Sequence, residues 1–233
     1  MTDSMQTTAG ARLAGRTAIL SGATTGEIGR AIARYVLREG ANLVMTDRSR
    51  EALEAFVQTL TEEGFAPASM TPVAAHAADA EACRGVVQTA LEVYGRLDVL
   101  INNGGEPGPF STVENVPITE GDARAQGTET MMDSAMDVLG GPWNMSRAAV
   151  PHMSTGGSII NISTIFSRTR YFGRTPYIVP KSGLNALSLG LAREVGRDLG
   201  LRVNTVFPGP TESDRIDRVF ASMDALQGQE PGE

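Results

Sequence analysis

The sequence predicts an α/β protein: a Rossmann-like, doubly wound parallel sheet with helices on both faces. Three observations carry this. Short, nearly continuous apolar runs alternate with helical patterns along the chain, as they do when strands are covered on both sides. A glycine-rich turn joins the first apolar run to the first helical pattern. Neither an internal repeat nor a linker divides the 233 residues.

Thr17-Ala18-Ile19-Leu20-Ser21 reads as the first buried strand. The helix after it carries Ile28, Ala31, Ile32, Tyr35 and Val36 at helical spacing and stops at Gly40. Asn42 to Thr46 is a second strand, followed by a helix from Arg50 to Glu63. A weaker third strand runs from Met70 to Ala75, and the next helix from Ala80 to Tyr94. Leu97 to Ile101, Ser158 to Ile162 and Leu201 to Phe207 complete six strands. Right-handed crossovers then give the doubly wound order. The segment from Glu106 to Met131 reads as a loop with at most one short helix. Residues 1–12 read as a flexible terminus, 13–223 as one domain, and 224–233 as a mobile tail.

Composition excludes several functions. A net charge of −7 argues against nucleic acid as a partner. The single cysteine, Cys83, permits no intrachain disulfide and fits a reducing, cytoplasmic setting. His76 and His152 lie far apart and make a poor zinc site. No apolar run is long enough to span a membrane, and the N-terminal residues lack the pattern of a secretory signal.

The turn Ser21-Gly22-Ala23-Thr24-Thr25-Gly26-Glu27-Ile28-Gly29 lies where a dinucleotide pyrophosphate binds. Glycines admit the phosphates, and the helix start supplies free N–H groups and partial positive charge. The second strand ends in Asp47-Arg48. An aspartate there accepts from a ribose 2′-OH and favours NAD(H), whereas an arginine attracts the 2′-phosphate of NADP(H). Asp79 could reach the adenine amino group or cap the following helix.

Ser163 and Thr164 close the fifth strand, at the carboxyl edge where such sheets bind ligands. Tyr177 and Lys181 follow one helical turn apart, so a phenol and an ammonium project from one face. The ammonium favours the phenolate, which tunes the phenol for proton transfer to a carbonyl. Pro180 places this pair near a helix start, where a missing N–H costs little. Arg168, Arg170 and Arg174 crowd the intervening segment. Arginine forks suit a carboxylated substrate, and the alternative is a set of solvent-facing charges.

In this order and approximate spacing, the glycine turn, Asn102-Asn103-Gly104-Gly105, the hydroxyl, Tyr177/Lys181 and Pro208-Gly209 resemble the short-chain dehydrogenase/reductase superfamily over nearly the whole chain. Ser163 to Arg168, Gly173 to Tyr177 and Pro208 to Ile216 resemble, more particularly, the N-terminal reductase units of bifunctional malonyl-CoA reductases. That resemblance implies reduction of malonate semialdehyde to 3-hydroxypropionate with NADPH. It implies Tyr177 as general acid, with Lys181 assisting it and binding the nicotinamide ribose. The hydroxyl is Ser163 or Thr164, and Thr211 or Ser213 would touch the carboxamide, with Pro208 and Gly209 beside it. Gly22, Thr24 to Ile28, Asn103 and Gly104 would line the dinucleotide. A homo-oligomer and further reductase domains in the same polypeptide are expected partners.

The sequence departs from the family in four places. The turn has one extra residue between Gly22 and Gly29. Asp137 stands where the family holds a relay water with asparagine. Asp47 argues for NAD(H) against the NADP(H) of the resemblance. The family's last strand is not found, and the chain is expected to be the leading piece of a larger one. The altered turn and missing strand leave a non-catalytic nucleotide-binding scaffold as the alternative.

Overall fold

The computed structural model describes residues 11–105, 112–116, 130–169 and 171–212, and beyond these only 216, 217, 219–221, 224 and 228. Most of the expected loop 106–131, the terminal segments, Arg170 and Ser213 lie outside the described residues.

Six parallel strands form one sheet: β1 (Thr17–Ser21), β2 (Asn42–Asp47), β3 (Met70–Ala74), β4 (Leu97–Asn102), β5 (Met153–Ile162) and β6 (Arg202–Val206). Their spatial order is β3-β2-β1-β4-β5-β6, as the doubly wound reading requires. Pro72 cannot donate to a ladder and sits in β3, an edge strand. Alternation sends apolar side chains to both faces. Leu20, Leu43 and Met45 pack under α1 (Gly26–Arg38) and α2 (Arg50–Glu62), against Val36, Phe56 and Leu60. Ile19, Val44, Leu100 and Ile159 pack on the other side, under α3 (Ala80–Tyr94) and its neighbour, against Val86, Ala90 and Met145. Each such buried side chain stabilises the fold by about 1.5–3 kcal/mol.

The connection from β4 to β5 is helical in its described part. A capping box of Thr130 and Asp133 starts α4 (Met131–Ala135). It runs through a π turn (Met136–Gly140) into α5 (Gly141–Ala149). After β5 come a short α6 (Phe166–Thr169) and the long α7 (Thr175–Leu199), which ends at Gly200 in the left-handed conformation (φ 66°). Pro180 lies inside α7 rather than in its first positions. Its ring removes the donor that would reach the Pro176 carbonyl, and Ser134 Oγ donates to that carbonyl at 3.3 Å instead.

Strands β4 and β5 are tied to α7 by buried amides. Asn102 Nδ2 donates to Asn161 Oδ1 at 2.8 Å, and Asn161 Nδ2 donates to Ser188 Oγ at 2.8 Å. Ser188 Oγ in turn donates to the Leu184 carbonyl at 2.8 Å.

At the opposite, amino edge of the sheet, Asp98 is 2% exposed and accepts from Arg16, from both Nε and Nη2 of Arg96, and from the Thr17 N–H at 2.9 Å. Burial pushes this carboxyl up, but the bonds from Arg96, Thr17 and Arg16 outweigh it and bring it from 3.8 down to about 2. A carboxylate lowered in the folded state contributes stability above its unfolded value that is lost as pH falls through the folded one. Asp98→Asn is therefore less stable than wild type by about 2 kcal/mol near neutral pH, and the gap closes as pH approaches about 2. Urea melts across that range check this; a gap independent of pH contradicts it.

Candidate active site

Gly22 follows β1 with φ 64°, and a Cβ there would lie 2.6 Å from Gly104 Cα. Asn103 Nδ2 donates to the Gly22 carbonyl at 2.8 Å and ties the β1 and β4 ends together. On α1, a Cβ on Gly29 would lie 2.3 Å from the Gly22 carbonyl oxygen, so helix and strand meet through glycine alone. Thr25 precedes α1 but makes no side-chain cap. Its Oγ1 instead donates to Asp47 Oδ2 at 3.1 Å, leaving the first-turn N–H groups of α1 to an anion. Glu27, in the first turn of this helix, lines the cleft.

Asp47 is committed to the same turn. Its Oδ2 accepts from the Thr24 N–H at 3.0 Å, from Thr24 Oγ1 at 2.7 Å and from Thr25 Oγ1, while Oδ1 accepts the Arg48 N–H at 2.8 Å. Asp47 thus holds the turn while it also lines the recess expected for adenosine. Asp79 likewise caps α3, accepting from the N–H groups of Glu81 and Ala82, and does not line the adenosine recess.

Two connected hollows run along the carboxyl edge of the sheet, sharing Thr25 and Gly105. The smaller is the recess expected for adenosine. It is lined by Gly22, Asp47, Arg48, His76, Gly104 and Asp137, among others. The larger, about 840 Å³ with its open mouth, brings together Gly26, Glu27, Ile28, Asn103, Ser163, Thr164, Arg174, Tyr177, Lys181, Pro208, Gly209 and Thr211. Phe166, Ile216 and Val219 form an apolar wall that sequence reasoning missed. The i, i+3 spacing of Ile216 and Val219 was the available signal.

Within the larger cleft, Lys181 is 3% exposed and its Nζ donates to the Ile162 carbonyl at 2.8 Å. It lies 5.7 Å from the Tyr177 ring centre, and Arg174 Cζ lies 4.6 Å from it. Ser163 Oγ donates to the Lys181 carbonyl at 3.4 Å, while Thr164 Oγ1 accepts the Phe166 N–H at 3.3 Å. Both hydroxyl residues are buried and face the cleft, so either can serve.

Two expected residues are not brought to this place. Arg168 is exposed and stacks over Phe207, with Cζ 4.3 Å from the ring centre, because α6 turns it away from the cleft. Arg174 is 1% exposed and fills the role of cleft arginine alone among the described residues. Asp137 does not approach Lys181 as a water relay. The π turn directs it into the adenosine recess, where it pairs with Arg48, and its neighbour Val138 packs against Gly105.

The family model described as short chain dehydrogenase matches residues 16–224. Among curated relatives, a human dehydrogenase/reductase SDR family member 4 is 32% identical over 84% of this chain and 66% of its own length. A 3-oxoacyl-acyl-carrier-protein reductase from Thermotoga maritima is 31% identical over 89% of this chain and 79% of its own. Among solved structures, the N-domain with NADP of a bacterial malonyl-CoA reductase superposes with a TM-score of 0.88 at 41% identity. It covers 95% of this chain, which spans 42% of that one. A dehydrogenase/reductase from Sinorhizobium meliloti gives a TM-score of 0.76 at 30% identity, covering 89% of this chain and 77% of its own.

Proposed function

We propose that this chain, which belongs to the short chain dehydrogenase family of oxidoreductases, is an NADP(H)-dependent reductase of a short carboxylated aldehyde, malonate semialdehyde, to 3-hydroxypropionate. The observation that carries the reading is the shared cleft of Tyr177, Lys181, a buried hydroxyl and the buried Arg174. The glycine contacts and the uncapped start of α1 suit a dinucleotide. When bound, that cofactor supplies the hydride. Ser163 or Thr164 donates to the substrate carbonyl oxygen. Tyr177 gives its phenolic proton to that oxygen as the carbonyl carbon gains the hydride pair, and the product is the alcohol. Arg174 and Lys181 flank the phenol ring and stabilise the charge left on it, and water at the cleft mouth restores the proton.

Two features favour NADP(H) over NAD(H): Arg48 lines the adenosine recess, and the malonyl-CoA reductase N-domain was solved with NADP. By the same likeness we propose further reductase domains as partners, and from the family resemblance a homo-oligomer. The absorbance of NADPH and of NADH, followed with malonate semialdehyde, tests substrate and cofactor together. Oxidation is expected with NADPH and much less with NADH; no oxidation of either overturns the proposal.

A further inference from the structure

Arg48, at the end of β2, and Asp137, in the π turn between α4 and α5, form an ion pair whose two members line the adenosine recess. Arg48 is half exposed, while only 15% of the Asp137 side chain is open to solvent, so the carboxylate is the fixed member. His76 completes the group, with Nε2 3.8 Å from Asp137 Oδ1. Its Nδ1 accepts the Ala78 N–H at 3.1 Å, so a neutral ring carries its proton on Nε2, toward Asp137. The loop bearing His76 is pinned to α5, because Asn144 Nδ2 donates to the carbonyls of Ala77 and Ala78.

A guanidinium nitrogen paired with a carboxylate is not available to a second anion. A 2′-phosphate arriving in the recess must therefore compete with Asp137 for Arg48. Asp137 can release it, since the Nε2–H of His76 remains at hand. A 2′-hydroxyl has no charge to offer and leaves the pair as it stands.

We propose that Asp137 is an internal competitor for Arg48 that holds down the affinity for the 2′-phosphorylated cofactor, and so sets cofactor preference from the π turn between α4 and α5. This inference rests on the dinucleotide reading above. It gives the conspicuous acid of the π turn a role in specificity in place of one in proton relay.

Fluorescence titration of the protein with NADPH and with NADH tests it without any turnover. Asp137→Asn, nearly isosteric, tightens NADPH binding by roughly three- to tenfold and shifts NADH by less than about twofold. Arg48→Ala weakens NADPH by roughly tenfold or more and leaves NADH nearly unchanged. In the double variant the gain from Asp137→Asn disappears, because the contested group is gone. Asp137→Ser repeats the test with a smaller side chain, and thermal melting confirms that each variant is folded. A gain in NADPH affinity that persists without Arg48, an equal gain for NADH, or no gain at all overturns the inference while the dinucleotide reading stands. Failure of wild type to bind either cofactor overturns that reading, and the inference with it.

Discussion

Tyr177→Phe lowers kcat for aldehyde reduction by roughly a hundredfold to ten-thousandfold and leaves NADPH affinity within about threefold of wild type. The ring remains, so its packing beside Arg174 and Lys181 remains. Only the proton that must reach the carbonyl oxygen is removed. Transfer of that proton belongs to the transition state, so the loss falls on kcat rather than on cofactor binding. Steady-state kinetics combined with NADPH fluorescence titration separate the two. Activity within tenfold of wild type rules Tyr177 out as the acid.

The second large effect is expected at Arg174. Replacing it with Ala lowers kcat/KM for a carboxylated aldehyde by roughly thirty- to a hundredfold, the loss of a charge-assisted, forked pair. An uncharged aldehyde of similar length tests the alternative. Arg174 also lies over the Tyr177 ring, and truncation there disturbs the acid for every substrate. The informative quantity is therefore the ratio between the two substrates. A ratio unchanged from wild type rejects the carboxylate role. Arg174→Lys keeps the charge without the fork and falls between, closer to Ala if bidentate geometry is what matters.

The sheet was legible because its strands are apolar on both faces. Ile19 and Leu20 serve opposite helical layers, so the run has no polar gap to obscure it. The turn from Gly22 to Gly29 was legible for a related reason: backbone contacts as close as those at Gly22 and Gly29 tolerate no other residue. The tyrosine and lysine were legible because one regular helix fixes their relation. Where regularity fails, so did the reading. Asp137 was placed by resemblance to the family's asparagine, but a π turn adds a residue to the turn, and the carboxylate lines the adenosine recess. Arg168 and Arg174 are equivalent as sequence, and only the path from α6 into α7 separates a surface cation from a buried one. Asp47 and Asp79 had two chemically sound roles each. Local hydrogen bonds tie Asp47 to the turn and Asp79 to its helix start, and such short-range partners are always within reach.

The amide chain from Asn102 through Asn161 to Ser188 has a consequence for how this site can change. Each member satisfies the next, so an apolar replacement at one strands its neighbour in a dry interior. Substitutions accumulate one at a time, and this trio has no easy single step out. The helix that carries Tyr177 and Lys181 is thereby tied to β5 through Ser188. Novelty has to enter elsewhere, through the wall of Phe166, Ile216 and Val219 and through the arginine opposite it. A library meant to redirect this protein to new carbonyl compounds belongs there, and one that spreads into Asn161 will return mostly unfolded chains.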